Sequence, residues 1–144
     1  MLRERVQSER GFSLIEVLIV ILIIGILAAI AIPAFLSQRE KGQDSSAKSM
    51  SRNAASAAVA VANGGTGSYT GMTIDDMRAV EPSLNDGDSV ATVVALVGAS
   101  GADTFTVTTK AKSGMYFTVS RDGGAMYRCS SAAAPGGACA ANDW

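Results

Sequence analysis

The 144-residue sequence has no histidine. It therefore lacks the side chain most used for proton transfer near neutral pH and the commonest nitrogen ligand of zinc. There is no GxSxG elbow, no phosphate loop and no pair of acids placed for general acid–base work. Nothing in the composition calls for an enzyme or a cofactor. Cysteine is limited to Cys129 and Cys139, too far apart for zinc-ligand spacing. Aromatic residues make up only 6% of the chain, and Phe12 and Phe35 are the only two before Tyr69, so a stacked conductive path is unsupported. Charge is nearly balanced, with 12 basic and 13 acidic residues, which gives no electrostatic case for direct nucleic-acid binding. Internal repeats are also absent.

What the chain does have is concentrated near its start. A charged leader carries Arg3, Arg5 and Arg10 against Glu4 and Glu9 and ends at Gly11. Gly-Phe-Ser-Leu-Ile-Glu follows over residues 11–16, and then Val17 to Leu36 contains no charged or hydrogen-bonding side chain. As a helix rising about 1.5 Å per residue, that stretch spans roughly 30 Å, the depth of a bilayer core. Basic residues before the span favour a cytoplasmic N-terminus. Glu16 is the anomaly, because a carboxylate inside a membrane helix costs about 2.5–3.5 kcal/mol on insertion scales. Something must satisfy it. A secretory signal peptide cut after Ala31, within Ala29-Ile30-Ala31, is one alternative, and a plain single-pass anchor is another. The first is opposed by the length of the apolar run, beyond the usual 7–15 residues. Glu16 serves no purpose in either.

The leader, Gly11-Phe12, Glu16, the Ile/Leu-rich span with Gly25, and Pro33 together resemble the prepilins of the type IV pilin–pseudopilin superfamily. The resemblance covers about the first quarter of the chain. It implies that a prepilin peptidase cuts between Gly11 and Phe12 and N-methylates Phe12. A glycine there lets a protease approach the backbone closely. Cutting would expose an α-amino group on Phe12, with a reference pKa of about 7.7–8.0. The resemblance pairs Glu16 of an incoming subunit with the Phe12 amine of a subunit already in the filament. Desolvation leaves such a buried pair a weak net stabiliser, so its expected role is to fix axial register. Gly25 and Pro33 disfavour regular helix. They are either a harmless kink or, by the resemblance, a segment that unwinds on entering a filament.

Past Leu36 the composition turns polar, with Arg39, Glu40, Lys41 and Asp44. Small or apolar residues then recur at Ala47, Met50, Ala54, Ala58 and Val61, the spacing of one helix face. Asn63-Gly64-Gly65 is a stop. One helix is expected from about Phe12 to Ala62. Thr73 is expected to cap a short helix through Val80, with Asp75 and Asp76 in its first turn and Glu81-Pro82 ending it. Strands are expected at Val90–Val97, Thr104–Lys110, Met115–Ser120 and Ala125–Cys129, separated by glycine turns. The second and third place Phe105 with Val107, and Phe117 with Val119, on one face. The expected fold class is α+β: a long N-terminal helix, membrane-spanning in its first half, packed on a small antiparallel sheet. The expected organisation is a cleaved leader at 1–11, a transmembrane or filament-core helix at 12–36, its continuation at 37–63 and a head at 64–144. The Ala/Gly/Ser-rich tail from Ser130 reads as weakly structured.

In an exported domain Cys129 and Cys139 are expected to form a disulfide, similar to the C-terminal loop of many pilins; a free thiol pair is the alternative. Asn85-Asp86-Gly87-Asp88 suggests calcium by analogy with some pseudopilins, but the other ligands of a calcium loop are missing and a turn accounts for it. Without the leader, nine basic residues face eleven acidic ones. Lys110, Lys112, Arg121 and Arg128, with Tyr116 and Tyr127 nearby, would make at most a local patch, or a lysine-blunted sheet edge. The resemblance implies a structural subunit, most simply a major pilin. Before assembly it would lie in the cytoplasmic membrane; afterwards it would sit in an extracellular filament of identical subunits. Its partners would be the peptidase, an inner-membrane platform protein and an assembly ATPase. The alternatives are a type II secretion pseudopilin, a competence pilin, a minor pilin, or a secreted or membrane-anchored binding protein that does not polymerise.

Overall fold

Leu14 to Gly64 forms α1, and its sequence explains why. Its first half is apolar and its second is rich in alanine, the strongest helix former. The structure, a computed structural model, describes residues 11–85, 91–98, 103–133, 139 and 143–144, with side chains omitted at 85 and 91–98. Helix begins two residues later than the sequence predicts. The Ser13 carbonyl accepts the first helical bonds, from the backbone N–H groups of Glu16 (3.0 Å) and Val17 (3.3 Å). At the other end Gly67, at φ 73°, turns its N–H back to the Ala62 carbonyl at 2.9 Å. Left-handed backbone of this kind suits glycine and closes a helix.

The chain divides into two compact units, Met1–Gln38 and Arg39–Trp144. In the first, α1 passes through Gly25 and Pro33 without a break. All its large apolar side chains from Phe12 to Leu36 are 48–83% exposed. This is the one stretch among the described residues long and apolar enough to cross a membrane.

In the second unit a four-stranded antiparallel meander packs on the alanine face of α1. Its strands are β1 (Ala91–Gly98), β2 (Phe105–Ala111), β3 (Tyr116–Asp122) and β4 (Ala125–Ser131), in the order β1-β2-β3-β4. The β1–β2 register shifts between Val93 and Ala95. Asp122 pairs with Ala125, so Gly123 and Gly124 form a two-residue hairpin loop. Both have positive φ, 55° and 90°, the combination a type I′ turn demands.

The core joins Ala54, Ala55, Ala58 and Ala62 of α1 to Phe105, Val107 and Val119 of the sheet. Tyr69, Met77 and Leu84 complete it from the segment between helix and sheet. Alanine lets the backbone of α1 lie close to the strands, and the Thr109 hydroxyl donates to the Ala47 carbonyl at 3.0 Å. The buried face of α1 runs through Ala47, Ser51, Ala54, Ala55, Ala57, Ala58 and Ala62, which keeps Ala47, Ala54 and Ala58 of the predicted face and widens it on the side of Ser51 and Ala55. Met50 and Val61 lie half-buried at its margin. Ser51 is tolerated at 0% exposure because its hydroxyl donates to the Lys48 carbonyl.

Thr73 caps α2 (Ile74–Val80) as predicted. Its hydroxyl accepts from the Asp76 N–H, while Asp76 Oδ2 accepts the Thr73 N–H at 2.8 Å, a complete capping box. The Thr73 hydroxyl also donates to Asp76 Oδ2 at 2.7 Å, and this bond, with the one from the Thr73 N–H, holds the Asp76 carboxyl below its ordinary value of 3.8. Pro82 opens a short 3-10 turn through Asn85. The Asp86–Asp88 part of the calcium suggestion lies outside the described residues.

Two strand ends need correction: β3 runs to Asp122, two residues beyond the predicted Ser120, because Arg121 and Asp122 pair with Met126 and Ala125. Strand β4 runs to Ser131, two residues beyond the predicted end, because Ser130 and Ser131 pair with Phe117 and Tyr116. Near the C-terminus the tail is tied back to the sheet. Asp143 donates its N–H to the Arg128 carbonyl and accepts from the Ser130 N–H. Trp144 packs edge-on against Phe117, with centroids 5.7 Å apart.

Candidate functional site

Gly11 to Ser13 precede the helix as exposed, irregular chain. A Cβ at Gly11 would meet nothing within 4 Å, and its φ is not in the left-handed region. The fold itself therefore has no need of glycine at this position. Glu16 lies in the first turn of α1, where unpaired N–H groups and the helix dipole favour a carboxylate. This local stabilisation was legible in the sequence but was obscured by placing the helix start at Phe12. Phe12, Glu16, Val17 and Val20 line a shallow hollow of about 300 Å³. The two residues singled out in the sequence thus share one surface.

Gly25 borders a second recess, of about 510 Å³, with Leu18, Ile21, Leu22, Ile26 and Ala29. A Cβ on Gly25 would also meet no neighbour. Glycine in mid-helix costs up to about 1 kcal/mol relative to alanine, and within its own unit nothing repays that cost.

The disulfide joins Cys129 to Cys139, with Cα atoms 5.6 Å apart. It lies on the sheet face opposite α1. There the Cys139 N–H donates to Ser120 Oγ at 3.1 Å, and the Thr108 and Thr118 hydroxyls bond each other at 3.0 Å. Thr108, Thr118 and Ser120 are all buried on this face, with Cys139 set against Thr118 and Ser120. The alternation pattern carries no sign of this, because threonine and serine read as solvent-facing.

Three of the four cations of the supposed patch, Lys110, Arg121 and Arg128, have separate partners. Lys110 lies on the inner strand β2, against the Tyr116 ring at 5.3 Å, so it does not blunt an edge. Arg121 bonds Asp103 and lies over Tyr69. Arg128 lies 5.9 Å from the Trp144 ring, which Lys48 and Arg52 also approach, at 5.6 and 5.2 Å. This cluster around Trp144 was missed because its members are distant in sequence. Asp44, one turn from both Glu40 and Lys48, accepts a hydrogen bond from Ser113 in the β2–β3 turn. Among the described residues no group of three or more His, Cys, Asp or Glu side chains is placed to hold a metal ion.

Residues 7–32 match the family described as the prokaryotic N-terminal methylation motif. A type IV major pilin of Myxococcus xanthus is 58% identical over 40 residues, covering 28% of this chain and 18% of that protein. A type IV major alpha-pilin of Moraxella bovis is 58% identical over 36 residues, 25% of this chain and 23% of its own length. The type II secretion system core protein G of Klebsiella michiganensis is 46% identical over 37 residues, 26% of each chain. The chain thus spans about a fifth to a quarter of these relatives, and no solved structure matches it. Over its N-terminal quarter, the resemblance to the type IV pilin–pseudopilin superfamily drawn from Gly11, Phe12, Glu16 and the apolar span is borne out.

Proposed function

We propose that the chain is a structural subunit of a type IV pilus-like filament, matured by cleavage between Gly11 and Phe12 and N-methylation of Phe12. One observation carries the reading. From Phe12 to Leu36 every large apolar side chain is exposed, and the sole charge among them is Glu16, in the same hollow as Phe12. Such a surface far exceeds the apolar patch of a few hundred Å² that soluble monomers tolerate. It needs lipid first and sister helices later. Moving from lipid to a helix bundle brings no bulk hydrophobic gain, so close packing and polar pairing must select the position. The recess at Gly25 supplies the close approach. Glu16 supplies the pairing, with the new Phe12 amine of a neighbour as its partner. An unmatched Glu16 is costly in that setting, which gives the pair its selectivity for register.

The peptidase, the platform protein and the assembly ATPase enter as partners on the same reading, with the cytoplasmic membrane and then the extracellular fibre as the two locations. Similarity to the secretion protein favours a second reading, a short pseudopilus, and imaging of long surface fibres containing this chain separates the two. Mass spectrometry of the mature N-terminus tests maturation. N-methylated Phe12 is expected, and an N-terminus at Ile32 would overturn the proposal. Glu16→Ala is expected to give an inserted, cleaved protein absent from sedimented fibres. Wild-type yields of fibres built only from that variant would refute the role of Glu16.

A further inference from the structure

Charge is unevenly spread over the second unit. Its first residue is Arg39, three residues after the apolar stretch ends at Leu36. Arg39, Glu40 and Lys41 are exposed, and Asp44 follows one turn later, half-buried. The Asp44 carboxylate accepts from the Ser113 hydroxyl in the β2–β3 turn, just as the Ala47 carbonyl accepts from Thr109. Two backbone bonds close that turn. The Ala111 N–H donates to the Met115 carbonyl at 2.8 Å, and the Gly114 N–H donates to the Ala111 carbonyl at 3.0 Å. Lys112 is thereby fixed beside the first turns of this unit, although it is far from them in sequence. It is exposed, and among the described residues no ion pair engages it, Arg39 or Lys41. Lys110 is exposed beside it, so Arg39, Lys41, Lys110 and Lys112 outnumber Glu40 and Asp44 at this end.

The other end of the unit has the reverse sign. Asp75, Asp76, Glu81 and Asp103 outnumber Arg78 and Arg121 there, and both arginines are paired, with Asp75 and Asp103. Met77 anchors α2 in the cluster of Ala54, Ala58 and Ala62, whereas Ala47, Ala111 and Phe117 form a separate cluster at the basic end.

We propose that, before assembly, Arg39, Lys41 and Lys112 seat the basic end of this unit on anionic phospholipid headgroups at the edge of the membrane span. The headgroup layer is about 5–8 Å deep on each face of a bilayer. Arg39 and Lys41 follow Leu36 by three and five residues, roughly 5–8 Å of helix, which sets them in that layer. The Asp44–Ser113 bond comes about 12 Å of helix past Leu36, so Lys112 falls within a Debye length, about 8 Å, of the headgroups. The same surface repels the acidic α2 end, and this difference in sign decides which end faces lipid. The proposal depends on the membrane location of the filament reading and adds a contact that makes no use of Glu16.

The test reconstitutes the full-length chain into phosphatidylcholine vesicles made with or without phosphatidylglycerol. A membrane-impermeant amine reagent labels the outward-facing heads, and mass spectrometry reads each lysine. A surface potential of about −30 to −50 mV draws protons to nearby amines and lowers their reactive fraction roughly three- to sevenfold. Lys112 is expected to lose labelling by that factor in the phosphatidylglycerol vesicles and to regain it in high salt. A distal reporter, Ala79→Lys on the exposed side of α2, should label equally in both. Equal labelling of Lys112 in the two kinds of vesicle, or an equal loss at position 79, overturns the proposal. Arg39→Glu combined with Lys41→Glu, both at exposed positions, should abolish most of the Lys112 loss; an unchanged loss refutes the role of those charges. A chain that floats with neither vesicle refutes the membrane reading itself. One that floats with both and keeps Lys112 reactive refutes only this proposal.

Discussion

Breaking the Cys129–Cys139 bond should loosen the second unit far more than a solvent-side link would. The loop is short, with a sequence separation of 10. On the chain-entropy account, closing such a loop removes about 2.5–3 kcal/mol of freedom from the unfolded chain. For a domain of about 100 residues each kcal/mol moves the melting midpoint by roughly 4–8 °C, so a fall of about 10–20 °C is expected. The native position of Cys139 adds to this, since it is only 7% exposed and its N–H is the donor to buried Ser120. The assay is thermal unfolding of the full chain in detergent, followed by fluorescence of its single tryptophan, Trp144, which packs on Phe117. Cys129→Ser combined with Cys139→Ser is compared with wild type, each with and without reductant. The low-temperature spectrum should change little, because the cross-link acts chiefly on the unfolded chain. Reductant should lower the midpoint of wild type only. A variant melting within 2 °C of oxidised wild type would refute the assignment of this stability to loop closure.

Two further outcomes follow from the packing of α1 and the cap of α2. Ala58→Leu, at a site with 0% exposure against the sheet, should cost about 1–3 kcal/mol by overpacking, whereas Ala60→Leu on the exposed side should stay within about 0.5 kcal/mol; denaturant titration compares them. Thr73→Ala should destabilise by about 1 kcal/mol through loss of the cap, read from the same titration. The capping box also sets a pH dependence. Asp76 is held below 3.8 when folded, so its contribution is complete above that value and is lost as pH falls through the depressed one. Melting midpoints of wild type and Asp76→Asn should differ at pH 6 and converge towards pH 2, and a gap that widens on acidification would contradict the sign.

The elements were legible because their local signals agreed with the fold around them. Alternation at Phe105, Val107, Phe117 and Val119 placed the inner sheet face, and Ser113-Gly114 and Gly123-Gly124 placed the turns on either side of β3. Thr73 with Asp76 three residues later marked a helix start that tertiary structure did not override. Less legible was everything whose partner lies far along the chain. Ser51 reads as a surface residue until its hydroxyl is seen returned to the Lys48 carbonyl, and that left the expected buried face of α1 too narrow. Thr118 and Ser120 read as solvent-facing until Cys139 is seen set against them, and Thr108 until its hydroxyl is seen bonded to Thr118. Trp144 gave no periodic signal, yet it gathers Lys48, Arg52 and Arg128 round one ring.

The N-terminal site presents the opposite case. Its chemistry was legible because it conflicts with its own chain. Gly11 and Gly25 occupy positions where a side chain would meet nothing, and Glu16 is the one charge in an apolar surface that no part of its own unit covers. A monomer gains nothing visible from the two glycines, and Glu16 gains only the local support of the first turn of α1. On the proposed reading an external requirement would account for each: protease access at Gly11, close approach of a neighbouring helix at Gly25, and a counter-charge for a new amino group at Glu16. The strength of the proposal lies in one sequence of events serving all three: processing at Gly11, then a copy of the same helix brought alongside Gly25 and Glu16.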